Sequence, residues 1–513
     1  MINQKPKQLS LYSILYNKIP KNHILKLINS VVNFSFINKL LEGSYCKYYG
    51  RPAKEPEMMA KLCILQYLYN LSDVRIIEEV AINLAFMWFL GINPDDELPD
   101  ASLLAKFRKH RIKGTELDDI ITEVVRQCIQ KGIIKGTEIN IDATHTHANT
   151  LKKSSTKILK QISKKIFIEL EKEVGKVPDE VNQDIPKYDE SIEKDQARGD
   201  MVKYFIEVVK TVEKNVTETS APQTTKLINE IKELLSDPKF VVQKGIRSLV
   251  DKEARVGYKT ATDSFFGYKT EFTMIADERI ITAVEVNDGA HCDGKNFDNL
   301  LKQTQKSGLK INALYGDKAY FRKAILDTLK TENIEAMIPV SEMVYKLDES
   351  KYSYNKDSDQ WFCELGNHTV SSKAKYRKNG KVIAYKFNVD QCSKCQKRNE
   401  CYKGRDKSRI LEVGVNTMDY YELSQIAKTD EFKTRYRKRS SIEWKNGEMK
   451  RFHGLYRARG YGLRSMSLQA KLTAIAVNLK RIAAMVFSHL YEFCLFAVKF
   501  EKQSNFIPIV CHF

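Results

Sequence analysis

No stretch of this sequence is long and apolar enough to cross a bilayer unaided. The longest run, Ile482 to Val498, is interrupted by Ser488, His489 and Glu492, whereas a span needs roughly 20 predominantly apolar residues. The opening segment, MINQKPKQLSLYSILYNKIP, lacks the continuous apolar core of a secretion signal. Cysteine is sparse, 10 in 513 residues, and four of the ten crowd into one region, which excludes a secreted disulfide framework. There is no internal repeat and no low-complexity tract. Negative charge is also in short supply. Lys and Arg number 84 against 65 Asp and Glu, a net charge of +19. That bias says little about fold but favours a polyanionic partner. With no span to support a membrane role, the expected partner is nucleic acid, and the expected location is the cytoplasm.

What is present is ordinary globular composition, 42% apolar and 29% charged, which excludes wholesale disorder and fibrous folds. Single cores stop growing near roughly 250–300 residues, so two or more domains are expected. Residues 1–130 read as helices, with Met58, Met59, Leu62, Leu65, Leu68 and Tyr69 at helical spacing. A loop at 91–100 holding Pro94 and Pro99 leads into ASLLAKFRKHR (101–111), a short helix with a basic end. Helix, Pro-containing turn and basic helix suit a helix-turn-helix reader that contacts DNA through Lys106, Arg108, Lys109 and Arg111, and able to bind as a fragment ending near Arg126. An ordinary bundle with a solvated basic helix fits the same pattern.

From residue 134 to 343 the pattern is that of a mixed α/β core. TEINIDA (137–143) alternates like a strand, further strands fit 265–275, 280–286, 312–316 and 335–340, and helices fit 296–305 and 322–331. Three helical segments at about 151–250 interrupt this core. Residues 344–425 are rich in Cys, Lys and Tyr. Helices return over 426–490, and 491–513 form a tail.

Asp142 sits near the end of the first core strand and Asp317 closes the fourth, in LYGDKAY. Adjacent strands can bring two carboxylates to one point, where they repel unless a hard cation such as Mg²⁺ or Mn²⁺ joins them. Two such ions can assist phosphoryl transfer. A third acid is offered by the C-terminal helices. Tyr436, Arg439, Glu443 and Lys450 fall within about 60° of one another on a helical wheel, while Glu448 falls on another face. Residues 428–464 carry 12 Lys and Arg against 4 Asp and Glu, a charge suited to a phosphate backbone.

YRKRSSIEWKNGEMK matches Tyr-x2-Arg-x3-Glu-x6-Lys at every fixed position. In this it resembles the YREK branch of bacterial insertion-sequence DDE transposases. NIDATH, GYKTEF and YGDKAYF precede it in the order that family shows, and the helical N-terminal region and the Cys-rich insertion also resemble it. The resemblance spans most of residues 50–485. It implies an RNase H-like core in which Asp142, Asp317 and Glu443 bind two Mg²⁺ or Mn²⁺ ions. It also implies contacts to DNA from Tyr436, Arg439 and Lys450, terminal inverted repeats and target DNA as partners, and a homodimer or higher assembly on DNA. A catalytically inactive or domesticated DNA-binding protein and an RNase H-like nuclease are the alternatives, and no acid of the set is missing.

Cys392-x2-Cys395-x5-Cys401 places three thiols close together, with Cys363 the fourth and His368 its rival. Such a set suits a structural Zn²⁺ or an iron–sulfur cluster, and free thiols are the alternative. His145 and His147 follow Asp142, but on a continuing strand their side chains point away from it, so they join it at a metal only if a turn intervenes.

Overall fold

Ile139 and Ile141 are buried on one face and Thr144 and Thr146 on the other, and the resulting strand β1 (Glu138–His147) runs to His147 instead of stopping at Ala143. The computed structural model describes residues 13–46, 52–187, 193–242, 245–260, 262–378, 380–401 and 407–503; the tail beyond 503 lies outside them. β1 is the centre of a six-stranded mixed sheet with β2 (Arg255–Tyr258), β3 (Ser264–Ile275), β4 (Ile281–Asp288), β5 (Ala313–Tyr315) and β6 (Glu335–Met337). One edge of β1 pairs antiparallel with β3, which in turn pairs antiparallel with both β4 and β2. The other edge pairs in parallel with β5, and β5 with β6. The helices Phe297–Lys306 and Lys323–Thr331 make the two crossovers that parallel pairing requires. The short β2 is an addition to the sequence expectation. Its Gly257 passes so close to Gly289 that a Cβ there would lie 2.0 Å from the Gly289 carbonyl oxygen.

The three helices expected in the first insertion are Ser155–Val174, Lys194–Asn215 and Pro222–Leu235. They close a core of their own around Ile158, Ile166, Phe205, Val208 and Ile231. The Cys-rich segment forms β7 (Tyr352–Asn355) with β8 (Gln360–Cys363), and a second sheet of β9 (Thr369–Arg377), β10 (Gly380–Phe387) and β11 (Ile410–Gly414). Trp361, Tyr385, Phe387 and Leu411 fill the small core there.

The N-terminal helices behave differently. Leu25, Ile28, Leu62, Leu65, Ile121 and Val125 belong to one continuous apolar core with Ile141 and Phe272 of the sheet and with Ile475, Leu479 and Ile482 of the long helix Gly462–Gln503. These helices therefore wrap an element encoded at the far end of the chain. Among the described residues no single helix is long and apolar enough to cross a membrane, and the one bent pair of suitable composition, Ile24–Val31 with Phe36–Ser44, is built into this core.

Removing the long helix would return those side chains to water, at about 25 cal/mol per Å² of apolar surface. A fragment ending near Arg126 is accordingly expected to show no cooperative thermal transition by circular dichroism, in contrast to the full chain. A sharp melt of that fragment would show that the N-terminal helices fold alone.

Candidate active site

The parallel register between β1 and β5 pairs Asn140 with Tyr315. Two residues on, β1 reaches Asp142 while the chain leaving β5 reaches Asp317, which brings the two acids near one another. The Asp142 side chain is 14% exposed, and its carboxyl is pushed up to about 6, first by desolvation and then by the nearby charges of Asp317 and Asp293; Arg439 opposes the rise. Asp317 caps the turn Lys318–Tyr320, its Oδ1 accepting from the Ala319 N–H at 2.9 Å. It is thus a turn former and a member of the acidic group at once.

The segment carrying the third acid is not one continuous helix. Asp430–Tyr436 ends in a tighter 3₁₀ turn, Arg437–Arg439, before Ser440–Phe452 begins. Even so, the expected stripe faces the strand ends. The Tyr436 hydroxyl donates to the Gly316 carbonyl at 3.0 Å, and burial pushes that phenol up to about 12, so it keeps its proton. Arg439 lies 3.5 Å from Asp142 Oδ1 and donates to Glu443 Oε1 at 3.1 Å. Lys450 Nζ is 3.4 Å from His145 Nδ1. Desolvation, then Lys259, lowers the Lys450 ammonium to about 8. Burial, with Lys450 and Lys259, depresses His145 to about 3, so the imidazole is neutral and able to accept from Lys450. Glu448 faces elsewhere, paired with Lys445 at 2.8 Å and Lys480 at 3.1 Å.

Asn446 was not singled out by the sequence reading, yet its Nδ2 donates to Asp142 Oδ2 at 3.0 Å while its Oδ1 is buried with no partner. The signal was available, because Asn446 is three residues on from Glu443 and therefore on nearly the same helix face. Glu271 on β3 was also missed. Fully buried, it accepts from the Gly294 N–H at 2.5 Å and from the Tyr320 hydroxyl at 3.2 Å, which ties the loop after β4 to the turn that carries Asp317. Nothing in its spacing announces that role.

Two histidines follow the expectation for a continuing strand, and two arginines depart from theirs. Because β1 continues through His147, His145 and His147 project from the face opposite Asp142; their rings pack instead with Phe265 and Tyr456. In the basic helix Ala101–His110, Lys106 and Lys109 are exposed as a phosphate contact requires. Arg108 is not presented that way. It pairs with Asp73 at 2.5 Å and donates to Gln66 at 3.2 Å, with its side chain only 18% exposed. Arg111 lies 4.2 Å over the Tyr45 ring and donates to the Ser44 carbonyl. Both arginines are held by partners far away in sequence, and those partners were invisible to helix spacing.

Cys363, Cys392, Cys395 and Cys401 form no disulfide, and the first three lie near enough to act on the fourth. Desolvation raises the Cys401 thiol, Arg409 opposes this, and the other three cysteines add to the rise. The ring of His368, the rival ligand, packs on Phe362. Among the described residues, no group of three or more His, Cys, Asp or Glu side chains is arranged to hold a metal ion. For the carboxylates the reason is local, since Arg439 and Asn446 engage both oxygens of Asp142 and Arg439 engages Glu443. The donor set nevertheless fits a hard divalent cation. It is all oxygen, it includes the unpartnered buried Oδ1 of Asn446, and its central carboxyl is raised by burial and by the neighbouring acids Asp317 and Asp293.

Residues 13–110 match a family model described as "Transposase domain (DUF772)", and residues 362–483 match one described as "Transposase DDE domain". These matches support a DDE-type transposase. Glu443, the YREK positions and all four clustered cysteines lie inside the second match, while Asp142 and Asp317 lie between the two. A DDE transposase domain implies divalent metal use in general. No curated protein matches the sequence. Among solved structures, the chain resembles the piggyBac transposase in a synaptic complex with hairpin DNA, at 9% identity and a TM-score of 0.31, over 93% of this chain and 77% of that one. At that level the likeness bears on neither fold nor function.

Proposed function

We propose that this chain is a YREK-branch transposase with an RNase H-like core, which cuts the ends of its insertion sequence and joins them to target DNA. The observation that carries the reading is the placement of Asp142 on β1 beside Asp317, two residues past the end of the parallel strand β5, with the Glu443 helix docked on Asp142 through Arg439 and Asn446. The strand order and directions, three antiparallel strands followed by two parallel ones, support the fold. Two bound Mg²⁺ or Mn²⁺ ions would activate the attacking oxygen and stabilise the leaving one. Asp142, Asp317 and Glu443 would hold them, Asn446 would fix the Asp142 carboxylate, and Tyr436 would lock the helical segment to the end of β5. In the first step, water oxygen bonds to phosphorus and the bond to the 3′ oxygen breaks, leaving a 3′-hydroxyl. In the second, that hydroxyl oxygen attacks a target phosphate and expels another 3′ oxygen. Lys106 and Lys109 would steer the duplex, and an assembly of two or more copies would bring two ends together in the cytoplasm.

Incubating the protein with DNA from either side of its coding region tests this reading. Strand cuts with 3′-hydroxyl ends and joined products are expected with Mg²⁺ or Mn²⁺ and none with a chelator. Cutting that is indifferent to chelation would sink the reading. Lys450 adds a pH signature. Its charge is lost as pH rises through about 8, so affinity for duplex should fall above that pH. Lys450→Arg, whose guanidinium stays charged, should abolish the fall; an unchanged profile would remove Lys450 from the DNA contact.

The clustered cysteines are proposed as ligands of a structural Zn²⁺ or an iron–sulfur cluster. The protein purified without oxygen should carry about one thiolate-bound metal before Mg²⁺ is added. Replacing Cys392 and Cys395 by Ser should remove it and open residues 345–420 to protease. Metal-free wild-type protein would return these cysteines to free thiols.

A further inference from the structure

Arg439 sits where a divalent cation would be useful. One arm of its guanidinium is 3.5 Å from Asp142 Oδ1, and the other donates to Glu443 Oε1 at 3.1 Å. Asp142 and Asp317 both stabilise its charge. The side chain is only 17% exposed, so this is not a solvated surface ion pair. The fork is nonetheless poorly used. It is splayed between two acids instead of gripping one with both arms, the Asp142 contact is longer than a charge-assisted hydrogen bond of roughly 2.7–2.9 Å, and Nε is buried with no partner at all. The other Asp142 oxygen is held more closely, by Asn446 at 3.0 Å.

We propose that Arg439 is the resident cation of the metal-free site, holding the first and third acids in place of a divalent ion, and that metal entry displaces it. This rests on the carboxylate reading above. A guanidinium cannot shed its proton, so its charge leaves the acids only if the side chain moves. Asn446, neutral and bonded to the other Asp142 oxygen at 3.0 Å, stays and keeps Asp142 in position. The displaced fork, with Nε and one terminal nitrogen free, is a bidentate donor for a phosphate oxygen pair. Metal and DNA then assist one another, since each favours the displaced position of the same side chain, and such coupling is reciprocal.

The test uses the full chain and two probes, Mn²⁺ followed by electron paramagnetic resonance and a DNA duplex with or without Ca²⁺. Arg439→Gln is expected to bind Mn²⁺ at least about tenfold more tightly than wild type, the effect of one charge at close range, and to melt lower without metal. Lys450→Gln, which removes a nearby charge that bridges no acids, should change Mn²⁺ affinity by less than about threefold. Ca²⁺ should raise the duplex affinity of wild type and leave that of Arg439→Gln unchanged. Arg439→Lys, which keeps the charge but loses the fork, should show the same loss of Ca²⁺ dependence and guards against a folding defect in the first variant. If wild type binds Mn²⁺ and Arg439→Gln binds it equally or less well, the resident-cation role is wrong while the carboxylate site stands. If wild type binds no Mn²⁺, both fall.

Discussion

Glu443→Ala should reduce metal-dependent DNA cleavage by about three orders of magnitude, on the order of 4 kcal/mol in the barrier, while leaving duplex affinity close to wild type. The asymmetry follows from position. Glu443 lies in the first turn of its helix with its side chain 65% exposed, and its one recorded bond is to Arg439, so its loss creates neither a cavity nor an unpaired buried charge. What it removes, on the proposed reading, is the third acid of the metal-binding set. Single-turnover cleavage assays, paired with a binding isotherm on the same duplex, check both halves. A variant that cuts normally, or one that loses binding and cutting together, would take Glu443 out of the acid set.

Glu448→Ala should do the opposite, leaving chemistry in the surviving folded protein and lowering stability by about 3–5 kcal/mol. Glu448 is the partner of Lys445, whose side chain is only 3% exposed. Burial already pulls the Lys445 ammonium below its usual range, and Glu448 is the first charge that opposes the fall. Without that carboxylate, an uncompensated ammonium remains inside the protein, or Lys445 gives up its proton. Restoring neutrality with Lys445→Met in the same chain should recover much of the loss, because the penalty belongs to the orphaned charge and not to the missing pair. Denaturant unfolding of the two variants decides it. A melt indistinguishable from wild type in Glu448→Ala would mean that Lys445 has found water. The two glutamates are five residues apart on one helix, yet they answer to different neighbours.

Much of this arrangement was legible in the sequence because it depends on local periodicity. The alternation in TEINIDA and the Val- and Ile-rich run that becomes β4 located strands, and the wheel positions of Tyr436, Arg439, Glu443 and Lys450 survived a 3₁₀ turn in their midst, which rotates the helix too little to scatter them. What escaped depends on partners far apart along the chain. Arg108 reads as a free basic residue until Asp73 and Gln66 are placed beside it. Strand β2 is four residues long with a glycine at its centre, too short for alternation to register. The residues of 1–130 read as a separate helical domain because their own spacing is self-consistent, and only packing reveals that their apolar faces meet the helix Gly462–Gln503.

That last feature has a consequence for how the chain is made. The helix Pro56–Leu68 leaves the ribosome roughly 400 residues before the element that covers it, on the order of 20–80 s at ordinary elongation rates. Throughout that interval a nearly all-apolar helical surface waits without its mate, a client for chaperones and a target for proteases. Assembly of the core must also join the earliest and latest parts of the chain, the kind of long-range closure that slows folding. Transcripts broken before the codons of the helix Gly462–Gln503 would yield polypeptides unable to close this core, so production of a working molecule waits on translation of that helix.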